Sequence, residues 1–205
     1  MINTVKPYSC LSVDALDLLA QSVECAKDVP GAIAECGVAN GGSAFWLWHV
    51  LGRNRELWLY DSWQGLPKPN PELDGGRACA KHDYKTITTG AMCRGEITNV
   101  FRLSQLIGIP IDLLHIIPGW FNETVAKPYN QPKQIAVLHL DGDWYESIMT
   151  PLVSLWPLVV TGGVVIFDDY IAWPGAKDAA DKFAADNGLE IEMFEGKARM
   201  AKNGN

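Results

Sequence analysis

Short apolar runs that stop at glycine or aspartate, set among longer helix-patterned segments, constrain this chain more than any other feature. Ala32–Val38, Leu57–Trp63, Leu113–Ile117, Ile135–Leu140 and Val164–Phe167 read as buried strands, because such runs are apolar on both faces. Ser12–Val29, Ser43–Leu51, Glu96–Ile107, Glu146–Leu158 and Ala176–Asn187 read as helices. In the first, Ser12 is a candidate N-cap, apolar residues recur at Val13, Leu16, Leu19 and Val23, and Pro30-Gly31 ends the segment. Strands alternating with helices predict an α/β fold, a mostly parallel sheet with helices on both faces. Leu189–Phe194 and Ala198–Lys202, separated by Glu195-Gly196-Lys197, predict a C-terminal β-hairpin. From Lys68 to Gly95 the periodicity lapses among scattered Pro and Gly, and a stretch this long reads as an inserted lid or substrate loop. The expected organisation is one domain over residues 1–205 carrying a lid at 68–95.

Composition narrows the partners. The 17 Lys+Arg against 24 Asp+Glu leave a formal charge of −7, a poor match to duplex phosphates or anionic lipid, so neither nucleic acid nor membrane is expected as partner. The five cysteines (Cys10, Cys25, Cys36, Cys79 and Cys93) are widely spaced with no CxxC pair, which fits the reduced thiols of a cytoplasmic protein. No signal-peptide pattern opens the chain, and no apolar run approaches the ~20 residues of a spanning helix.

Glu35-Cys36-Gly37-Val38-Ala39-Asn40-Gly41-Gly42-Ser43 joins the first strand to an apolar helix, where open α/β sheets bind ligands. The dinucleotide pattern G-x-G-x-x-G fails because Ala39 takes the second glycine position; E-x-G-x-x-x-G fits instead. An acid there repels a pyrophosphate and suits an ammonium group, such as the methionine end of S-adenosylmethionine. Asp61 ends the second strand, where a carboxylate commonly takes ribose hydroxyls. A tight turn and a capping Asp are the structural alternative.

Two later strands end in acids, Asp141-Gly142-Asp143 and Asp168-Asp169. Parallel strands would bring all four carboxylates to one rim, and a bound hard cation is the simplest compensation for that repulsion. Asp141, Asp168 and Asp169 are the expected ligands. An extended chain would leave Asp143 flanking the site on the same side as Asp141. Asp is also favoured at caps and turns, which is the alternative without a metal. His82 is a weaker substrate-contact candidate; His115 and His139, inside strands, read as core or support.

The chain resembles the macrocin O-methyltransferase (TylF-type) family. The resemblance is carried by Glu35-Cys36-Gly37-Val38 with Gly41-Gly42-Ser43, by Asp61-Ser62-Trp63-Gln64-Gly65-Leu66-Pro67 and by Pro118-Gly119-Trp120-Phe121. It continues through Leu140–Ser147 and through Asp168-Asp169-Tyr170 with Trp173-Pro174-Gly175. It implies a Rossmann-like class I methyltransferase fold that uses S-adenosylmethionine and Mg2+ or another divalent cation. It further implies an acceptor hydroxyl on a small molecule, a sugar diol of a glycosylated metabolite; a phenol or catechol would suit the same metal site. The implied cofactor-binding residues are Glu35, Gly37, Gly41, Ser43, Asp61, Ser62 and Trp120. The implied metal ligands are Asp141, Asp168 and Asp169, with Asp141 and Asp143 catalytic and Asp143 the general base. Ala39-Asn40 replaces the Trp-Arg common in the family, and the lid diverges, which touches the acceptor most. The early helix is a candidate homodimer contact.

Two rivals remain at this point. A haloacid-dehalogenase-like phosphohydrolase also uses D-x-D and magnesium, but its D-x-D follows the first strand, and no Ser/Thr and Lys phosphate-binding segments stand between the acidic motifs here. A non-catalytic nucleoside-binding module has little use for all four aspartates.

Overall fold

The computed structural model describes residues 1–75, 78 and 93–204. Seven strands form one sheet: β1 (Ala32–Cys36), β2 (Leu57–Asp61), β3 (Leu114–Pro118), β4 (Ile135–Leu140), β5 (Val159–Phe167), β6 (Glu192–Phe194) and β7 (Lys197–Ala201). Their order is β3-β2-β1-β4-β5-β7-β6. The first five run parallel, and β7 inserts antiparallel between β5 and β6, completing the expected hairpin. This is the mostly parallel α/β sheet with helices on both faces that the alternation of runs predicts, in an order that agrees with the fold implied by the resemblance.

Helices cover both faces. Helices α2 (Val13–Val23), α3 (Gly42–Val50) and α4 (Ile97–Ile107) bury Leu16, Leu19, Phe45, Trp48 and Leu103 against Ile33, Leu59, Val137 and Ile166. On the other face α6 (Tyr145–Leu155) and α7 (Pro174–Asn187) bury Ile148, Leu152, Ala180 and Phe183 against Ala34, Tyr60, Leu138 and Phe167. Alternate residues of each strand thus meet different helices, which is why the strands are apolar throughout. Leu16, Leu19 and Val23 of α2 pack into the chain's own core, while Val13 at its start is exposed. Two four-residue helices, α1 (Ile2–Val5) and α5 (Phe121–Thr124), complete the described set.

The differences from the expected boundaries have local causes. Ser12 caps α2 through the Ala15 amide (3.1 Å), but α2 stops at Val23 and continues only as a 3-10 turn over Glu24–Ala26. Strand β1 ends at Cys36 because Gly37 turns left-handed (φ 96°), and a Cβ there would overlap the Asp141 carbonyl. β5 starts at Val159, ahead of the expected Val164; Thr161-Gly162-Gly163 breaks the apolar pattern, and the register with β4 shifts there. Lys197, expected in the hairpin turn, is the first residue of β7. Residues 1–11, which carry no legible period, pack against the start of α3: Val5 is fully buried, and Ser9 stands where a Gly42 Cβ would go. Of the expected lid, residues 76, 77 and 79–92, including His82, lie outside the described residues. No helix among the described residues is long and apolar enough to cross a membrane.

At the opposite end of the sheet from the strand tips, Arg55 closes the loop before β1. Its guanidinium donates to the carbonyls of Leu51 (3.1 Å), Gly31 (3.1 Å), Val29 and Lys27. Removing a charged donor that serves several carbonyls typically costs about 1–3 kcal/mol. Arg55→Ala is therefore expected to lower the melting temperature by about 4–8 °C. Arg55→Lys, lacking the planar fork, should recover less than half of the loss. A melting curve within 1–2 °C of wild type for Arg55→Ala would remove the clamp.

Candidate active site

The sheet changes winding direction at β1, whose neighbours are β2 and β4, and the crevice this creates opens beyond the strand tips. A pocket there draws on all five parallel strands. Gly37–Ala39 follow β1, Asp61-Ser62 end β2, and Gly119–Phe121 follow β3. Asp141–Asp143 follow β4 and Asp168-Asp169 follow β5. Ser43, Gly65–Pro67, Cys93, Ser147 and the N-terminal Tyr8–Leu11 complete the wall. Of the expected site residues, Gly37, Ser43, Asp61, Ser62, Trp120, Asp141, Asp143, Asp168 and Asp169 line this pocket. Glu35 and Gly41 do not: Glu35 lies one layer behind, and Gly41 is the left-handed N-cap of α3 (φ 89°).

Asp61 ties the two neighbouring loops together. Its Oδ2 accepts from the amides of Val38 and Ala39 (both 2.8 Å), and its Oδ1 from that of Trp63 (2.7 Å). A carboxylate accepts about four hydrogen bonds, so capacity remains for a ligand hydroxyl.

Glu35 and His139 are partners in the β1–β4 register, so their side chains leave the sheet side by side on the α3 face. Both are fully buried. Glu35 Oε1 accepts from Ser43 Oγ (2.6 Å) and meets His139 Nδ1 at 3.0 Å, while Glu35 Oε2 has no hydrogen-bond partner. The far ring nitrogen of His139 stands 3.6 Å from Asp168 Oδ1, the atom that also pairs with Lys197. Lys197 arrives there because the β5–β7 register pairs Phe167 with Ala198, placing it opposite Asp168. Burial opposes charge on His139, but Asp168 and Glu35 outweigh it and push its pKa up to about 10. Burial alone would raise Asp168; His139 and Lys197 together hold it below the usual carboxylate range.

The other three acids face the opposite situation. Asp141, Asp143 and Asp169 bring carboxylate oxygens within 4.8 Å of one another. Burial, then Asp168 and Asp169, raises Asp141 well above the ordinary range. Burial and Asp169 push Asp143 up to about 7, and burial and Asp168 push Asp169 up to about 6. Such a set of clustered hard oxygen donors fits a divalent cation. The grouping differs from the expected triad: Asp143 joins Asp141 and Asp169, while Asp168 already has Lys197. The chain does not stay extended after β4, as expected for a flanking Asp143. It folds into a γ-turn, with Asp143 at φ 60° and the Trp144 amide bonded to the Gly142 carbonyl (2.6 Å). The Asp143 amide is held by Asp169 Oδ2 at 3.0 Å. A non-glycine residue in this region stores about 1–3 kcal/mol, strain typical of functional sites.

Sequence reasoning missed Tyr8–Leu11 and Lys197. Neither segment carries a periodic or motif signal; their roles depend on segments distant in the chain.

A model of the macrocin-O-methyltransferase (TylF) family matches residues 8–198. The chain belongs to this family. It is accordingly an S-adenosylmethionine-dependent O-methyltransferase. The demethyldecarbamoylnovobiocin O-methyltransferase of Streptomyces niveus is 34% identical over 91% of this chain and 71% of its own length. The 8-demethyl-8-(2,3-dimethoxy-alpha-L-rhamnosyl)-tetracenomycin-C 4'-O-methyltransferase of Streptomyces olivaceus is 31% identical over 92% and 72%, respectively. Among solved structures, the O-methyltransferase NovP superposes with a TM-score of 0.79 at 27% identity, covering 96% of this chain and 83% of that one. Family membership removes the phosphohydrolase and binding-module rivals.

Proposed function

We propose that this TylF-family enzyme methylates a hydroxyl of a sugar carried by a small natural product, at a site that holds a divalent cation. The observation that carries the reading is the convergence of Asp141, Asp143 and Asp169 at the rim of the donor pocket. The relative named for a rhamnosyl-bearing substrate supports the sugar as acceptor.

Gly37, Ser43, Asp61, Ser62 and Trp120 would bind the methyl donor, with Asp61 taking ribose hydroxyls. Glu35, one layer behind the wall, would act on the methionine ammonium through Ser43, whose hydroxyl it holds at 2.6 Å at the start of α3. Asp141 and Asp169 belong both to the ligand set implied by resemblance and to the set gathered by geometry, so these two would hold the cation, Mg2+ by donor chemistry. Asp168 would join them by sharing its charge with Lys197. When bound, a cation of this kind lowers the pKa of coordinated hydroxyls and fixes their orientation.

Methyl transfer is an in-line displacement. The acceptor oxygen forms the new O–C bond as the C–S bond of the sulfonium breaks, and sulfur keeps the electron pair as a neutral thioether. The chain's work is alignment and removal of one proton. Asp143, beside Asp141 and Asp169, would take that proton on its carboxylate.

The direct test is transfer of labelled methyl from S-adenosylmethionine to demethyldecarbamoylnovobiocin, to mycinamicin III, named for a further relative from Micromonospora griseorubida, and to the catechol caffeic acid, with products read by mass spectrometry. Methylation of a glycoside and not of caffeic acid is expected; the reverse would overturn the sugar reading. Treatment with EDTA should remove at least 95% of turnover, and added Mg2+ should restore it. Full rates in EDTA would end the metal proposal.

A further inference from the structure

Asp74 is 2% exposed although the residues around it in the sequence, from Asn70 to Glu72, are exposed. A buried carboxylate in a proline-rich stretch needs partners, and it has them on both oxygens. Oδ2 accepts from the Asn70 amide (2.7 Å), and the Asp74 amide returns a bond to the Asn70 carbonyl (2.7 Å). Oδ1 accepts from the Tyr145 amide (2.7 Å), the first residue of α6.

That second bond fills a gap. The local N-cap of α6, Trp144, makes no side-chain cap bond. An Asp at this position satisfies an open amide and favours the helix dipole, a role normally played by the residue just before the helix. Here it comes from 71 residues away in sequence. The fit is close: a Cβ on Gly175, near the start of α7, would overlap the Asp74 carboxylate. Nearby, Trp144 donates its indole N–H to the Pro67 carbonyl (2.9 Å) and packs edge-on to Trp173.

Two residues before this contact stands the strained turn residue. Asp143 has its own amide fixed by Asp169 on one side, and the chain leaves it through Trp144 into Tyr145 on the other. Holding a left-handed aspartate needs restraint at both ends. We propose that Asp74 is a positioning residue for Asp143: by fixing the Tyr145 amide it holds the exit of the γ-turn and keeps the Asp143 carboxylate aimed beside Asp141 and Asp169. This rests on the reading of Asp143 as the base.

The test compares Asp74→Ala, Asp74→Asn, Asp143→Asn and the double variant Asp74→Ala/Asp143→Asn. The readouts are turnover on whichever of the two glycosides the wild type methylates, titration with S-adenosylhomocysteine, and hydrogen exchange at the Tyr145 amide. Asp74→Ala should lower kcat by about 10- to 100-fold, the scale of a misplaced catalytic group. KM for S-adenosylmethionine and affinity for S-adenosylhomocysteine should stay within about twofold, and Tyr145 exchange should quicken at least tenfold. Asp74→Asn keeps one acceptor oxygen and should return most of the turnover. The double variant should be no slower than Asp143→Asn. Wild-type kcat in Asp74→Ala, an equal loss in Asp74→Asn, or a parallel loss of S-adenosylhomocysteine binding would overturn the proposal. If Asp143→Asn runs at the wild-type rate, or if neither glycoside is methylated, it is the function reading that fails. Tyr145 exchange then decides alone whether Asp74 holds the turn, and unchanged exchange in Asp74→Ala refutes it.

Discussion

Asp141→Ala is expected to lower methyl transfer at least a thousandfold while binding of S-adenosylhomocysteine stays within a few fold of wild type. The residue follows β4 directly, its amide held by the Cys36 carbonyl (2.9 Å), and its carboxylate meets those of Asp143 and Asp169. Removing it takes away one of two acids common to both readings of the cation site. The pocket residues read as donor contacts, Gly37, Ser43, Asp61, Ser62 and Trp120, are left in place. Loss of a cation's activation and orienting effect is worth several kcal/mol, and about 4 kcal/mol corresponds to a thousandfold. Stability should move the other way. Asp141 is half-buried among like charges, so its removal relieves repulsion, and the metal-free variant should melt no lower than wild type. Turnover within tenfold of wild type would refute the assignment; a lowered melting temperature together with weaker S-adenosylhomocysteine binding would mean that Asp141 instead supports the fold.

Asp143→Asn is expected to slow turnover by about 10²–10⁴, the usual contribution of a positioned general base. Asn is the informative replacement here. It keeps the shape of the side chain and tolerates the left-handed region, so the γ-turn at φ 60° survives. The backbone amide that Asp169 holds is also retained. What is lost is the capacity to accept the acceptor's proton. Alanine would confound that loss with backbone strain. KM for S-adenosylmethionine should hardly change, because the proposed role of Asp143 is toward the acceptor hydroxyl and not the methyl donor; a normal kcat would remove Asp143 as the base.

Much of this site was legible before any coordinates. Strand-forming runs announce themselves by apolar residues on both faces, and the residue at which a run stops marks the strand tip. Gly37, Asp61, Asp141 and Asp168 were placed at such tips from that logic, and the pocket is lined by all four. Boundaries were less secure where composition misleads: Gly162-Gly163 hid the first half of β5 because glycine carries no hydrophobic signal.

The four acids show where sequence logic ends. Their number and their common rim follow from the chain alone, because parallel strands that end in aspartate must present them together. Which carboxylates stay unpaired does not follow. Asp168 has Lys197 only because the hairpin returns β7 alongside β5 in one register. The turn at Asp143 is flanked by two long-range bonds, Asp169 to its own amide and Asp74 to that of Tyr145. Local period reports which face of a segment is buried, and a motif reports which chemistry is available. The pairing of charges across distant segments depends on strand register and helix packing, and those are set by the whole core at once. The sequence by itself determined the fold class, the strand-tip pocket and the acids at its rim. Only the tertiary structure decided which of those acids pairs with Lys197 and which three gather their carboxylates together, because both depend on register and packing between distant segments.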